Sequence, residues 1–145
     1  MLPYGKESLD HITDKDYIFI INKGFKSVET FVEKVHFNKN KPENHNIYIS
    51  NMRDNKVMIY DGEKWKLEHK NIAIEDLYDN KKNILVDKLD DLMDKLPEHA
   101  IKKFKRFLDD EKNEEISDNI KEEIRMCLYN NKHITEKTKN NLLKN

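Results

Sequence analysis

The chain has 145 residues, the length of one ordinary domain, with 37% hydrophobic and 38% charged residues. Its 27 basic and 28 acidic side chains give a formal net charge of -1, which excludes polyanion binding by bulk electrostatics. The single cysteine, Cys127, excludes an internal disulfide, a cysteine-rich zinc module and an iron–sulfur cluster, and no apolar run approaches the roughly 18 residues of a membrane span.

Regular apolar spacing argues against disorder despite the high charge. The start, Met1 to Gly5, shows no signal-peptide pattern, so the reading is a soluble intracellular domain. Asn and Lys abound while Ala occurs only at Ala73 and Ala100, a bias that AT-rich codon usage explains.

Residues 1–12 read as a polar lead-in. Thr13 with Asp16 three residues on resembles a capping box, and Tyr17 to Ile21 is ambiguous between helix and buried strand; with Gly24 as a stop, a helix over 14–23 is expected. Ser27 is a suitable N-cap, and Val28, Phe31, Val32 and Val35 at i, i+3, i+4, i+7 predict an amphipathic helix over 28–37. Residues 38–46 contain Pro42 and read as a loop. The period then changes to two. Ile47-Tyr48-Ile49, Val57 to Tyr60 and Lys64 to Leu67 predict three antiparallel strands, with a tight turn at Asp61-Gly62. The expected faces place Ile47, Ile49, Val57, Ile59, Trp65 and Leu67 on the core side, and Lys64 and Lys66 opposite.

The second half reads as helical. Leu85, Leu89, Leu92 and Leu96 predict a helix over 74–96, which Pro97 breaks. Ile101, Phe104, Phe107 and Leu108 predict one over 98–111; Ile116, Ile120, Ile124, Cys127 and Leu128 predict one over 115–130. Thr135 is the expected cap of a short, frayed tail helix with Leu142 and Leu143. The expected fold is a single α+β domain over 1–145: an N-terminal helical pair, a three-stranded antiparallel meander and a C-terminal three-helix segment.

Four constellations bear on function. The two N-terminal helices imitate a helix-turn-helix, but Glu29 and Glu33 on the exposed face of the second would repel phosphates. His36 with Asn46 or Asn51 offers the base and the orienting amide of an HNH-like, metal-dependent nuclease, yet no paired metal ligands follow at close spacing. Lys102, Lys103, Lys105 and Arg106 interleave with Phe104 and Phe107, but acidic residues follow at once and Phe104 fits the apolar stripe. Arg53, Lys56, Lys64 and Lys66 form a sparser patch on the expected outer sheet face, the place where weak nucleic-acid contact is expected.

The run His36-Phe37-Asn38, then Pro42-Glu43-Asn44-His45-Asn46-Ile47-Tyr48-Ile49-Ser50-Asn51, Val57-Met58-Ile59-Tyr60-Asp61-Gly62 and Trp65 resembles a domain of giant nucleocytoplasmic DNA virus (mimivirus-like) proteins. Phe104 to Leu108 and Leu128 to Asn131 are similar to it as well, so the resemblance covers nearly the whole chain. In that family the domain often follows a Cys/His zinc-finger segment, which is not part of this sequence. The resemblance implies a viral companion domain acting in the host cytoplasm or the viral factory, with a nucleic-acid setting by association only. It carries no catalytic residues.

The functional expectation is a non-enzymatic interaction module that binds an unidentified protein partner or a second copy of itself, without metal or cofactor and without a membrane. The alternative is the HNH-like nuclease, which would require a divalent metal.

Overall fold

The computed structural model describes residues 1–143; residues 144 and 145, the end of the expected tail, lie outside the described residues. The elements in chain order are helices α1 (Asp14–Ile21) and α2 (Ser27–His36), strands β1 (Ile47–Tyr48), β2 (Lys56–Tyr60) and β3 (Trp65–His69), then helices α3 (Lys70–Asp91), α4 (Glu98–Asp110), α5 (Glu114–Asn130) and α6 (Lys132–Leu143). The fold is α+β, with the helical pair, the antiparallel sheet in order β1-β2-β3, and three C-terminal helices after α3.

Helix α1 starts as its sequence dictates. The Thr13 hydroxyl accepts from the Asp16 amide at 3.2 Å, and the Asp16 carboxylate accepts from the Thr13 amide at 3.0 Å. The helix ends at Ile21 rather than at 23, because Gly24, at φ +59°, begins a short 3-10 turn. A Cβ at Gly24 would sit 3.5 Å from the Cβ of Lys103 on α4, so this glycine serves both the left-handed turn and a close helix approach. Ser27 is the first residue of α2, not its cap; its hydroxyl donates back to the Ile21 carbonyl.

Helix α2 is the central element. Val28, Phe31, Val32 and Val35 are fully buried, and the helix touches α1, α3 and α5. The side of α2 left facing solvent carries Glu29, Thr30, Glu33 and Lys34, and its two carboxylates would repel DNA phosphates. Phe104 and Phe107 of α4 lie in the same core, with Leu77, Leu85 and Ile124. The stripe expected over 74–96 is displaced: α3 begins at Lys70, directly from β3, and ends at Asp91. Leu92 and Leu96 still point into the core from the turn that follows. Thr135 lies inside α6, where its buried hydroxyl faces the Ile47 carbonyl at 3.5 Å, rather than capping the helix.

The sheet departs from expectation in one respect that matters. The turn between β2 and β3 pairs Tyr60 with Trp65, Met58 with Leu67, and Ile59 with Lys66. Directly paired residues share a face. Because Val57 and Ile59 are buried in the core, Lys66 and Glu68 fall on the inner side and Trp65 and Leu67 on the outer. The expected grouping of Trp65 and Leu67 with Ile59 is therefore inverted. Alternation fixed only which residues of β3 go together. The two-residue turn Gly62-Glu63 decided which set faces inward, with the Asp61 carboxylate accepting from the Glu63 and Lys64 amides at 2.9 Å each.

This register predicts opposite outcomes for two lysine substitutions. Leu67→Lys should change unfolding free energy by no more than about 0.5 kcal/mol, whereas Ile59→Lys should cost about 3 kcal/mol or more. Urea denaturation of both variants checks the assignment.

Candidate functional site

Two arrangements concentrate the chemistry: a buried polar network beneath the lead-in, and the outer face of the sheet.

The network brings together two of the sequence candidates. The ring Nδ1 of His36, at the end of α2, lies 2.9 Å from Oδ1 of Asn46, just before β1. The Asn46 amide donates to the Glu7 carboxylate at 3.0 Å and to the Leu2 carbonyl at 3.2 Å. The Gly5 amide donates to the same Glu7 oxygen at 2.8 Å, and Asn44 exchanges two bonds with Ser8. Asn51 is not part of this site; it is exposed, and its side chain accepts from the Arg53 amide. Glu7 and Lys81 complete the cluster and were missed in the sequence. The available signal was the spacing of Lys81 four residues after Leu77 and four before Leu85, inside the buried stripe of α3.

Electrostatics make this a neutralised interior rather than a reaction centre. His36 and Asn46 are fully buried and Lys81 is 2% exposed. Burial, reinforced by the nearby Lys81 ammonium, pushes the His36 pKa down to about 3, so the ring is uncharged at neutral pH. Burial opposes the Glu7 charge, but the Lys81 ammonium and the local backbone amides hold its carboxyl below the ordinary range. Burial likewise pulls Lys81 down, against the attraction of Glu7 and Asp76. The Nε2 of His36 has no partner and no solvent contact. A base so enclosed cannot reach a phosphodiester, and no group of three metal-ligating side chains occurs among the described residues.

The outer sheet face carries Tyr48, Lys56, Met58, Tyr60, Trp65, Leu67 and His69. None of these bears a carboxylate. Glu68, between Leu67 and His69 in β3, lies on the opposite face, and Asp54, Asp61 and Glu63 stand in the turns. Trp65 is wedged between Tyr48 and Tyr60, each with its ring centroid 5.6 Å away. Lys139 of α6 donates to the Tyr48 hydroxyl at 3.2 Å, with its Nζ 5.2 Å from the Trp65 ring centroid. At the other end Lys56 donates to the His69 ring at 3.3 Å. Leu67 is 62% exposed among these groups.

The four cations expected to form one patch are separated by the fold. Lys56 lies on the outer face, and exposed Arg53 stands in the turn before β2. Lys64 is at the opposite end of the hairpin. Lys66 lies on the inner side, in a cleft of about 410 Å³ that it shares with Tyr4, Glu68, Ile72 and Asp76. With Asp61, Glu68 and Asp76 lining the same cleft, Lys66 is a poor phosphate site. The basic cluster on α4 is likewise compensated: Lys102 pairs with Glu98 at 3.3 Å and Arg106 with Asp110 at 3.6 Å, while its two phenylalanines are core. Comparison of the chain with family profiles, curated proteins and solved structures finds no match.

The network makes a prediction about pH and stability. His36 has a folded pKa of about 3 against an ordinary 6.5, so between these values the unfolded chain binds the proton more strongly. Its stabilising contribution is complete above the unfolded value and is lost as pH falls toward the folded one; buried His45 and the lowered Glu7 act with the same sign. Urea midpoints measured from about pH 7 down to about pH 5 should fall for the wild-type protein and fall less for His36→Asn. His36→Ala should lose about 2–4 kcal/mol at neutral pH, through the cavity and the orphaned Asn46.

Proposed function

We propose that this chain is a non-catalytic interaction module whose docking surface is the outer face of its sheet. The observation that carries the reading is Leu67, largely exposed at the centre of an aromatic face without carboxylates. A solvated strand face in an ordinary domain is polar; burying Leu67, Trp65 and Met58 against a partner would recover the hydrophobic free energy that the monomer forgoes. The apolar stripes of the helices mostly meet one another in the core, and the large apolar side chains left exposed in the helical layers, Phe19, Phe25, Ile72 and Leu142 among them, stand outside this aromatic face.

The HNH-like alternative is not favoured. Its two essential side chains are in contact, but they are sealed from solvent and uncharged, and they serve to join three chain segments. The sequence resemblance to giant-virus companion domains is the sole ground on which we propose a setting beside other domains, in the host cytoplasm or viral factory.

Two measurements test this reading. Incubation with plasmid and with single-stranded DNA, with magnesium or manganese, should leave both intact; cleavage that disappears in His36→Ala would overturn the non-catalytic assignment. Sedimentation equilibrium from low to high micromolar concentration addresses the partner. A reversible dimer that Leu67→Lys abolishes identifies a second copy as the occupant of the face, and a strict monomer assigns the face to a foreign partner.

A further inference from the structure

We infer that the outer face of the sheet binds single-stranded nucleic acid, with bases stacking at Trp65 and Tyr60 and phosphates held by Lys139, Lys56 and Arg53. This rests on the reading of that face as the docking surface and names its occupant. The argument is one of composition and placement. A single strand presents unpaired π-faces joined by a regular line of negative charge, so its receptor needs aromatic rings and cations on one surface with acids kept away.

That combination occurs here on the one sheet face from which acids are excluded, in a chain with 28 of them. Trp65 is half-buried, edge-to-face with Tyr48 and tilted against Tyr60, and the Tyr60 hydroxyl is fixed by donation to the Gly62 carbonyl at 2.9 Å. The rings are thus oriented before any ligand arrives, which lowers the ordering cost of binding. Lys139 stands at one side of the rings, where it can exchange its ring contact for a phosphate oxygen. Lys56 stands toward the far end of the hairpin with Arg53 beyond it, so a strand crossing the face meets cations at both sides of the aromatic centre. Leu67 adds apolar contact with the bases.

Duplex DNA fits poorly, because its bases are already stacked and its phosphates would meet a two-sided array spaced for a flexible chain. A purely apolar protein surface would leave Lys56 and Lys139 without counter-charges. Recognition by stacking reads no base edges, so binding should be sequence-tolerant.

Trp65 is the only tryptophan, so its fluorescence reports directly on the proposed site. The experiment titrates the full chain with oligo-dT and with a duplex of the same length, following Trp65 quenching and the anisotropy of labelled DNA from low to physiological salt. The expected result is quenching by the single strand, weaker binding of the duplex, and a log–log salt slope of about -2 for three phosphate contacts. Lys56→Glu/Lys139→Glu should weaken binding more than about tenfold, and Trp65→Phe should retain most of it. Lys66→Glu, with the same kind of charge reversal on the opposite face, should leave affinity within about twofold.

Absence of binding at low salt overturns the inference. So does binding without Trp65 quenching, or equal losses in the Lys66→Glu and Lys56→Glu/Lys139→Glu proteins. The failure of this inference differs from the failure of the module reading. A Leu67-dependent protein complex without DNA binding removes the nucleic acid and keeps the module. Metal-dependent cleavage of the bound strand removes the non-catalytic reading and keeps the site.

Discussion

The hydrogen bond between His36 and Asn46 governs more of this molecule than any other polar contact. It joins the end of α2 to the residue that opens the sheet, and the Asn46 amide then fastens the lead-in through Glu7 and the Leu2 carbonyl. The consequence reaches the strands. The Asn46 carbonyl accepts from the Tyr60 amide at 2.9 Å, which aligns β2 on β1, and the Tyr4 amide donates to the Tyr60 carbonyl at 2.8 Å. With Tyr60 so placed, the short turn carries its register onto Trp65 and the rest of β3. A buried polar cluster, expensive if any member were left unpaired, thereby fixes which side chains face the solvent.

Placement of charge follows from the same register. Lys66 and Glu68 point inward from β3, one of the two edge strands, and border an open cleft instead of the sealed core. Inward-pointing charges on an edge discourage a second chain from adding to the sheet, since pairing there would cover them. The outer face has the reverse character, aromatic and free of acids. The edge is thus guarded against strand addition while the face stays open to a ligand that lies across it.

Helix α6 gives that face its boundary. Its Thr135 is buried against β1, and Thr138 holds the His45 ring at 2.7 Å, so Lys139 is carried to the rings of Tyr48 and Trp65 by a docked helix and not by a loose tail. The positive charge at the aromatic cluster is therefore as well positioned as the aromatics themselves.

By itself the sequence determined the fold class, the capped start of α1, the amphipathic α2, the three strands and the apolar stripes of α4 and α5. These depend on spacing along the chain, and the residues Val28, Phe31, Val32 and Val35 state it locally. It also held the contact between His36 and Asn46 as a pair of suitable residues, but not their enclosure. Burial of His36 and Lys81 depends on packing from the lead-in, α2 and α3 together, and no local pattern encodes that sum. The side of β3 that faces solvent was likewise decided by tertiary structure. Alternation is symmetrical between the two faces; only the coupling of Tyr60 to Asn46 and of Trp65 to Tyr60 breaks that symmetry.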